Sequence, residues 1–346
     1  MRGLLTRFRS GIALAHLSAS LAGCASVNGR ATAPTETAAP IVDPAPRAGA
    51  AKIFIAMPNS ANFVEVRKSL VSELRRTFDI ETFVVTPHTT DGALGAAIER
   101  ANPACVVLMN NTTIGLASRY AALHPESTPR PTVLLMASLV DEAGASLKRA
   151  TGISYEVPGV IAFVNLRSVV RTPVRRVGVV VRPSLRKFVE RQKGPAATEK
   201  IDIVAIPVPN DVTAEGLRDA LDTLIKDRHV DALWMLNDNA LVRDAQYRDD
   251  AWRAELHERE VPLIVGAANL VNPASPLGTM AVVPDHDALG LQAANLIFEM
   301  ADDGWRVDAH PVELPLSVKT IVDVKAAREH FGLRDDALKH IDRAEE

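Results

Sequence analysis

Asparagine recurs where apolar runs stop. Met57 gives way to Pro58, Asn59 and Ser60, and Met109 to Asn110, Asn111 and Thr112. Met136 is followed by Ala137 and Ser138, Leu236 by Asn237, Asp238 and Asn239, and Gly266 by two alanines and Asn269. Carboxamides and hydroxyls donate and accept hydrogen bonds, and Asp238 adds an acceptor charge, so the set suits recognition of a small polar molecule. An ammonium group would meet Asp238 through charge-assisted hydrogen bonds, roughly twice as strong as neutral ones. Helix N-termini after Asn62 and Asn111 would receive a carboxylate. The same residue types are the preferred helix N-caps, and each cluster precedes a helix, so capping is the competing reading for any one of them.

Covalent chemistry has no comparable carrier. The chain lacks the G-x-S-x-G elbow, the G-x-x-x-x-G-K phosphate loop, the G-x-G-x-x-G fingerprint and the H-E-x-x-H metal helix. Asp285-His286-Asp287 invites a metal, but adjacent residues at a helix start point in different directions, and the trio reads as a cap that complements the helix dipole. His257-Glu258 reads as a solvated helix face, and Arg175, Arg176 and Arg182 as charge flanking a strand. No catalytic residue, metal ligand or cofactor is assigned.

The N-terminus carries a different chemistry. Arg2, Arg7 and Arg9 precede the apolar stretch "GIALAHLSASLAG" and Cys24. A basic start, a short apolar run and small residues at the cut site make a secretory signal. Its last four residues, "LAGC", resemble a bacterial lipobox, which implies a signal peptide over 1–23 and lipidation of Cys24, by palmitate or a similar chain. An ordinary signal with an incidental Cys24 is the competing reading. One acyl chain binds a membrane marginally, at about 0.8 kcal/mol per buried methylene, whereas several anchor it firmly. Cys105, inside "ACVVLMN", reads as a buried strand thiol, so no internal disulfide is expected. Residues 24–51 are rich in Ala, Pro and Thr without periodicity and read as a disordered tether, with a coil span on the order of 30 Å.

Behind these residues stands a long chain able to bury one large core or two ordinary ones: 346 residues, 47% hydrophobic. Net charge is only -3, so there is no basic footprint for nucleic acid. Aromatics at 4% leave few platforms for stacking bases. No apolar run reaches the roughly 18 residues that a spanning helix needs, so membrane contact is expected through the lipid anchor only.

Short continuous apolar runs at 52–57, 82–86, 105–109, 132–136, 176–181, 201–206, 232–236, 262–266 and 279–283 read as strands covered on both faces. Helical stripes lie between them: Phe63, Val66, Leu70, Leu74 and Phe78 over 62–78; Leu217, Leu221, Leu224 and Ile225 over 211–228, with Asp211 as N-cap; and Leu289, Leu296, Ile297 and Met300 over 285–302. Steady alternation predicts parallel sheets with crossover helices. A turn-rich stretch between Met136 and Arg176 divides the chain into two doubly wound halves, and a (β/α)₈ barrel is the rival. In open α/β sheets ligands bind outside the carboxyl ends of the strands, so two such halves facing each other would line one cleft with the polar residues above.

The ordered motifs resemble a known family. "ATGISYEVPG" followed by "RRVGVVVRPS" looks like the segment of ABC-transporter substrate-binding lipoproteins in which "TG" and a small polar residue, here Ser154, precede a helix and a "VGVLYNP"-like strand. "DALWMLNDNALV" is similar to that family's "DALYVPTDNTV", and "VPLIVGAANLV" to "IPVFASDEEFV". "GTMAVVPDHDALGLQAANLIFEM" is similar to "GALAALGIDYYDLGRQAAEMA", and "PVELPLSVKTIVDVKAAREHFGL" matches the closing strand and helix. The resemblance covers nearly all of 52–333.

It implies a type I periplasmic binding-protein fold: two Rossmann-like lobes, joined by three crossings, that close on a small organic solute and present it to an ABC permease. The first lobe would hold 52–153 plus 285–308, the second 154–284 plus 309–333, with 334–346 as a tail. The family's paired tyrosines are replaced by His286 and Asp287, and its "TDP" by "SLVDE", which weakens transfer of an aromatic ligand. Asn59, Ser60, Asn110, Asn111, Thr112, Ser138, Ser154, Asp238, Asn239 and Asn269 are the expected ligand-binding residues. The expected location is periplasmic. Because Ala25 stands where an aspartate would favour retention in the inner membrane, an outer-membrane anchor is expected if the cell is Gram-negative. A non-transport sensor or scaffold on the same fold is the alternative.

Overall fold

Most of the apolar runs become strands because their side chains pack on both faces. Ile53, Ile55 and Met57 enter one core layer while Phe54 and Ala56 enter another. Val177, Val179 and Val181 likewise separate from Val180. This double burial is why the runs are continuous rather than alternating. A computed structural model describes residues 40–345, apart from 46, 243, 260 and 272–276. The expected signal peptide and Cys24 lie outside the described residues, as do the side chains of Asn239, His257 and Glu258.

In chain order the first part holds β1 (Lys52–Pro58), α1 (Ala61–Leu74), β2 (Asp79–Val85), α2 (Asp91–Ala101), β3 (Cys105–Met109) and α3 (Asn111–Leu123), then β4 (Thr132–Leu135), α4 (Val140–Ala143) and β5 (Ala150–Gly152). These strands form one parallel sheet in the order β2-β1-β3-β4-β5. Next come α5 (Gly159–Val169), β6 (Arg176–Val181), α6 (Arg186–Thr198), β7 (Asp202–Pro207), α7 (Ala214–Asp222), β8 (Ala232–Met235), α8 (Ala254–Arg259), β9 (Leu263–Val265) and β10 (Met280–Pro284). The chain closes with α9 (His286–Asp302), β11 (Val318–Asp323), α10 (Val324–His330) and β12 (Arg343–Glu345). The second sheet runs β12-β11-β10-β9-β8-β6-β7, parallel except where β11 meets β10. Two open sheets replace the rival barrel.

Helix starts follow local chemistry. Asp285 caps α9 by accepting the Asp287 N–H at 3.1 Å, as its position predicts. For α7 the cap is Thr213, not Asp211, because the Thr213 hydroxyl accepts the Gly216 N–H at 3.1 Å. α9 leaves the second sheet and packs against α1 in the first core, with Leu289, Ala293, Leu296, Ile297 and Met300 buried beside Val66, Leu70 and Leu74. Gly290 permits the close crossing, since a Cβ there would stand 2.5 Å from the Val66 carbonyl oxygen.

The chain passes between the sheets three times, at 153–158, at 284–286 and over 303–317. These crossings are tied together. Ser154 N–H donates to the Glu313 carbonyl at 2.9 Å, Asp285 N–H to that of Ser317 at 3.0 Å, and Gln292 binds both Glu313 (2.6 Å) and the Leu316 N–H (3.1 Å). Two segments expected to be loose are held. Asp43, within the expected tether, accepts the Thr82 N–H at 2.7 Å and pairs with Arg67, while Ile41 packs on the first core. The expected tail carries β12 and the buried Ala337.

Candidate functional site

The second sheet's carboxyl ends line a small cavity of about 30 Å³. Trp234 and Met235 of β8, Ile264 and Val265 of β9, and Val282 of β10 form its floor. Leu185 and Phe188 close one side, and the first crossing contributes Tyr155, Glu156 and Val157. Trp234 is held by Phe163, edge-on with centroids 5.2 Å apart, and by Phe188 at 5.9 Å. Asn237 lines the mouth, its carboxamide lying over Gly266, where a Cβ would come within 2.3 Å of it. The abrupt end of β8 therefore has a local cause: the strand stops where its next side chain meets a cavity.

Two carboxylates flank this region, and they differ in what faces them. Asp238, 4% exposed, accepts two hydrogen bonds from the Arg182 guanidinium, both at 2.6 Å, and one from the Ala240 N–H at 3.1 Å. Arg182 follows β6 directly, so the pair bridges the carboxyl ends of β6 and β8. The aspartate expected to meet a ligand ammonium is thus already neutralised within the chain. Glu156, 8% exposed, has no such partner among the described residues. It accepts the Leu139 N–H at 3.0 Å and the Ser154 hydroxyl at 3.0 Å, and among the described residues no cation pairs with it. Burial pushes its carboxyl above the ordinary value, against the opposing pull of these hydrogen bonds.

The first lobe reaches this carboxylate through the loop after β4. Asn111 holds that loop from both sides, donating to the Ser138 carbonyl at 2.7 Å and accepting its N–H at 2.8 Å. The next residue, Leu139, adopts φ 53°, a left-handed conformation that costs a leucine roughly 1–2 kcal/mol. Its N–H binds Glu156 and its side chain packs against the second lobe's core, which includes Trp234 and Phe188. Polar ends of both sheets therefore converge at Glu156.

Of the expected residues, Asn111, Ser138 and Ser154 join this network. Asn110 serves its own helix, accepting the Thr113 N–H at 2.8 Å from a φ of 76°. Ser60 caps α1 without a side-chain bond, and Asn59, half-buried, precedes it. Thr112 and Asn269 are exposed, and Asn239 opens a short turn after Asp238. Tyr155, Glu156, Arg182, Phe188 and Trp234 were not expected. The usable sign was Glu156 itself, an isolated acid between Tyr155 and Val157 in a segment placed just before a helix.

A second polar cluster sits at the crossings. Tyr155 Oη lies 2.9 Å from His286 Nε2, and His286 Nδ1 lies 2.9 Å from Glu65 of α1. Burial, with Glu65 adding to it, pushes the Tyr155 phenol up to about 12, so it stays protonated as a hydrogen-bonding group. His286 thus works beyond capping: it fastens the first crossing to the second. Lys319 of β11, the strand that follows the third crossing, pairs with Asp285 at 2.9 Å.

No protein-family model matches the sequence, and no curated protein matches it. Solved structures match the architecture. A ligand-free, open substrate binding protein with adhesive properties from Clostridium difficile aligns at a TM-score of 0.62 and 15% identity, covering 85% of this chain and 98% of that one. A conserved domain protein from Vibrio cholerae aligns at 0.56 and 15% identity, covering 85% and 99%. An ABC domain from Streptococcus pneumoniae in complex with L-Trp aligns at 0.54 and 15% identity, again covering 85% and 99%. The fold is that of the two-lobed type I periplasmic binding proteins, as the sequence resemblance implied.

Proposed function

We propose that this chain is an extracytoplasmic solute-binding lipoprotein that closes its lobes on a small organic, amino-acid-like solute and delivers it to an ABC importer. Binding, rather than catalysis, is its work. The observation that supports this reading most is the convergence at Glu156 of the first lobe's β4 loop with the cavity at the second lobe's strand ends. Such a junction, lined from both halves and spanned by crossings tied to one another, is where a hinged pair would grip a guest. The neighbours described as a substrate binding protein and as an L-Trp complex support the same role. Anchoring through Cys24 and a periplasmic location belong to the proposal.

The test is a thermal-shift screen of the lipid-free chain against amino acids and small organic solutes. At least one solute should raise the midpoint in a saturable way, as a ligand binding only the folded state must. A flat response across the panel would overturn the reading. A non-transport sensor or scaffold is the second reading, and the small size of the cavity, about 30 Å³, favours it. Co-purification with a permease would distinguish the two.

A further inference from the structure

Buried carboxylates are ordinarily paired with a cation or coordinate a metal. Asp238 obeys that rule through Arg182, whereas among the described residues Glu156 meets uncharged donors, the Leu139 N–H and the hydroxyls of Ser154 and Ser138. The cavity it helps line is also lined by three aromatic residues, Tyr155, Phe188 and Trp234. Ring faces carry negative potential and attract a cation within about 6 Å, most strongly where water is excluded. A carboxylate that no described cation pairs with, beside three aromatic residues at the junction of two lobes, has the chemistry to receive positive charge.

Resting on the binding reading above, we infer that the Glu156–Tyr155–Phe188–Trp234 cavity receives the ammonium end of an organic cation, an alkylammonium or N-methylated amine. Its present volume of about 30 Å³ suits an ammonium head but not a whole solute, so the rest of the guest would lie toward the first lobe. The left-handed Leu139 backbone, which aims its N–H at Glu156, would keep the carboxylate oriented. Burial already opposes ionisation of Glu156, and a bound ammonium would relieve that opposition. A neutral guest offers no such relief.

Isothermal titration of the full, lipid-free chain tests this with choline and n-butylammonium, each against its uncharged counterpart, 3,3-dimethyl-1-butanol and 1-butanol. At least one cation should bind about tenfold more tightly than its counterpart, and Glu156→Gln should lose about that factor for the cation alone. Circular dichroism establishes that the variant is folded. Should Glu156→Gln fail to fold, Phe188→Leu serves instead and should weaken the cation more than the alcohol. Equal binding of cation and alcohol, or a cation that binds Glu156→Gln undiminished, overturns the inference. If neither cation binds while an amino acid does, the cation pocket falls and solute binding stands. If nothing binds, both fall.

Discussion

Glu156 should leave a signature in the pH dependence of stability. Its folded carboxyl sits above the ordinary value because of burial, so the folded state gains from protonation. The associated stability is fully present below the ordinary carboxyl range and is lost as pH rises through the raised value. Glu156→Gln keeps an acceptor for the Leu139 N–H and removes the buried charge. It should therefore be more stable near neutral pH, by about 1 kcal/mol, and should flatten that part of the profile. Urea denaturation at about pH 4 and about pH 7 measures both arms; a variant with an unaltered slope contradicts the account. The pair at Asp238 predicts an asymmetry. Arg182→Ala strands a carboxylate that is 4% exposed, whereas Asp238→Ala leaves a guanidinium able to turn toward solvent. The first should cost about 3 kcal/mol and the second clearly less. Equal costs would show the burial argument to be wrong. Asp238 was readable from sequence because a charge ending an apolar run must find a partner. Its partner was not, since Arg182 lies 56 positions away and looked like ordinary flanking charge. Glu156 was visible as an isolated acid between Tyr155 and Val157, but a turn-rich stretch gives no periodicity from which to place its side chain inside.

At the scale of elements, period and length governed what could be read. All nine continuous apolar runs became strands: seven are buried on both faces, which leaves an unbroken hydrophobic trace, whereas the edge strands β2 and β7 are only partly buried. β5 and β12, of three residues each, were too short to leave one, and neighbouring chain determines them: β5 by pairing with β4 and β12 by pairing with β11. The anchoring of 41–43 was hidden for the same reason, since Asp43 acts through Arg67 and Thr82 rather than through its own neighbours. The α1–α9 crossing makes the sharpest test of packing. Gly290→Ala places a methyl 2.5 Å from the Val66 carbonyl oxygen and 2.8 Å from Ser69 Cβ, so backbone must move. It should cost about 1–3 kcal/mol in chemical denaturation, as overpacking does. Ser69→Ala removes the hydroxyl that bonds Asp287 at 2.7 Å but keeps the Cβ, so neither close approach is relieved and it should not rescue Gly290→Ala.

For the whole molecule, the account depends on motion between two sheets that share three crossings. β2 and β7 are edge strands, and β2 lies across its sheet from β5, which leads into the first crossing. His88 and Asp211, both exposed and just beyond the carboxyl ends of β2 and β7, are therefore well placed to register closure. Cys105 will not compete for label, since burial pushes its thiol up to about 12. The decisive measurement is the distance between spin labels at His88→Cys and Asp211→Cys, in a Cys24→Ser background, recorded with and without a solute that raises the unfolding midpoint. Closure predicts a shorter and narrower distance distribution at saturation. A distribution that stays the same while the solute is demonstrably bound would contradict a protein that works by shutting its lobes.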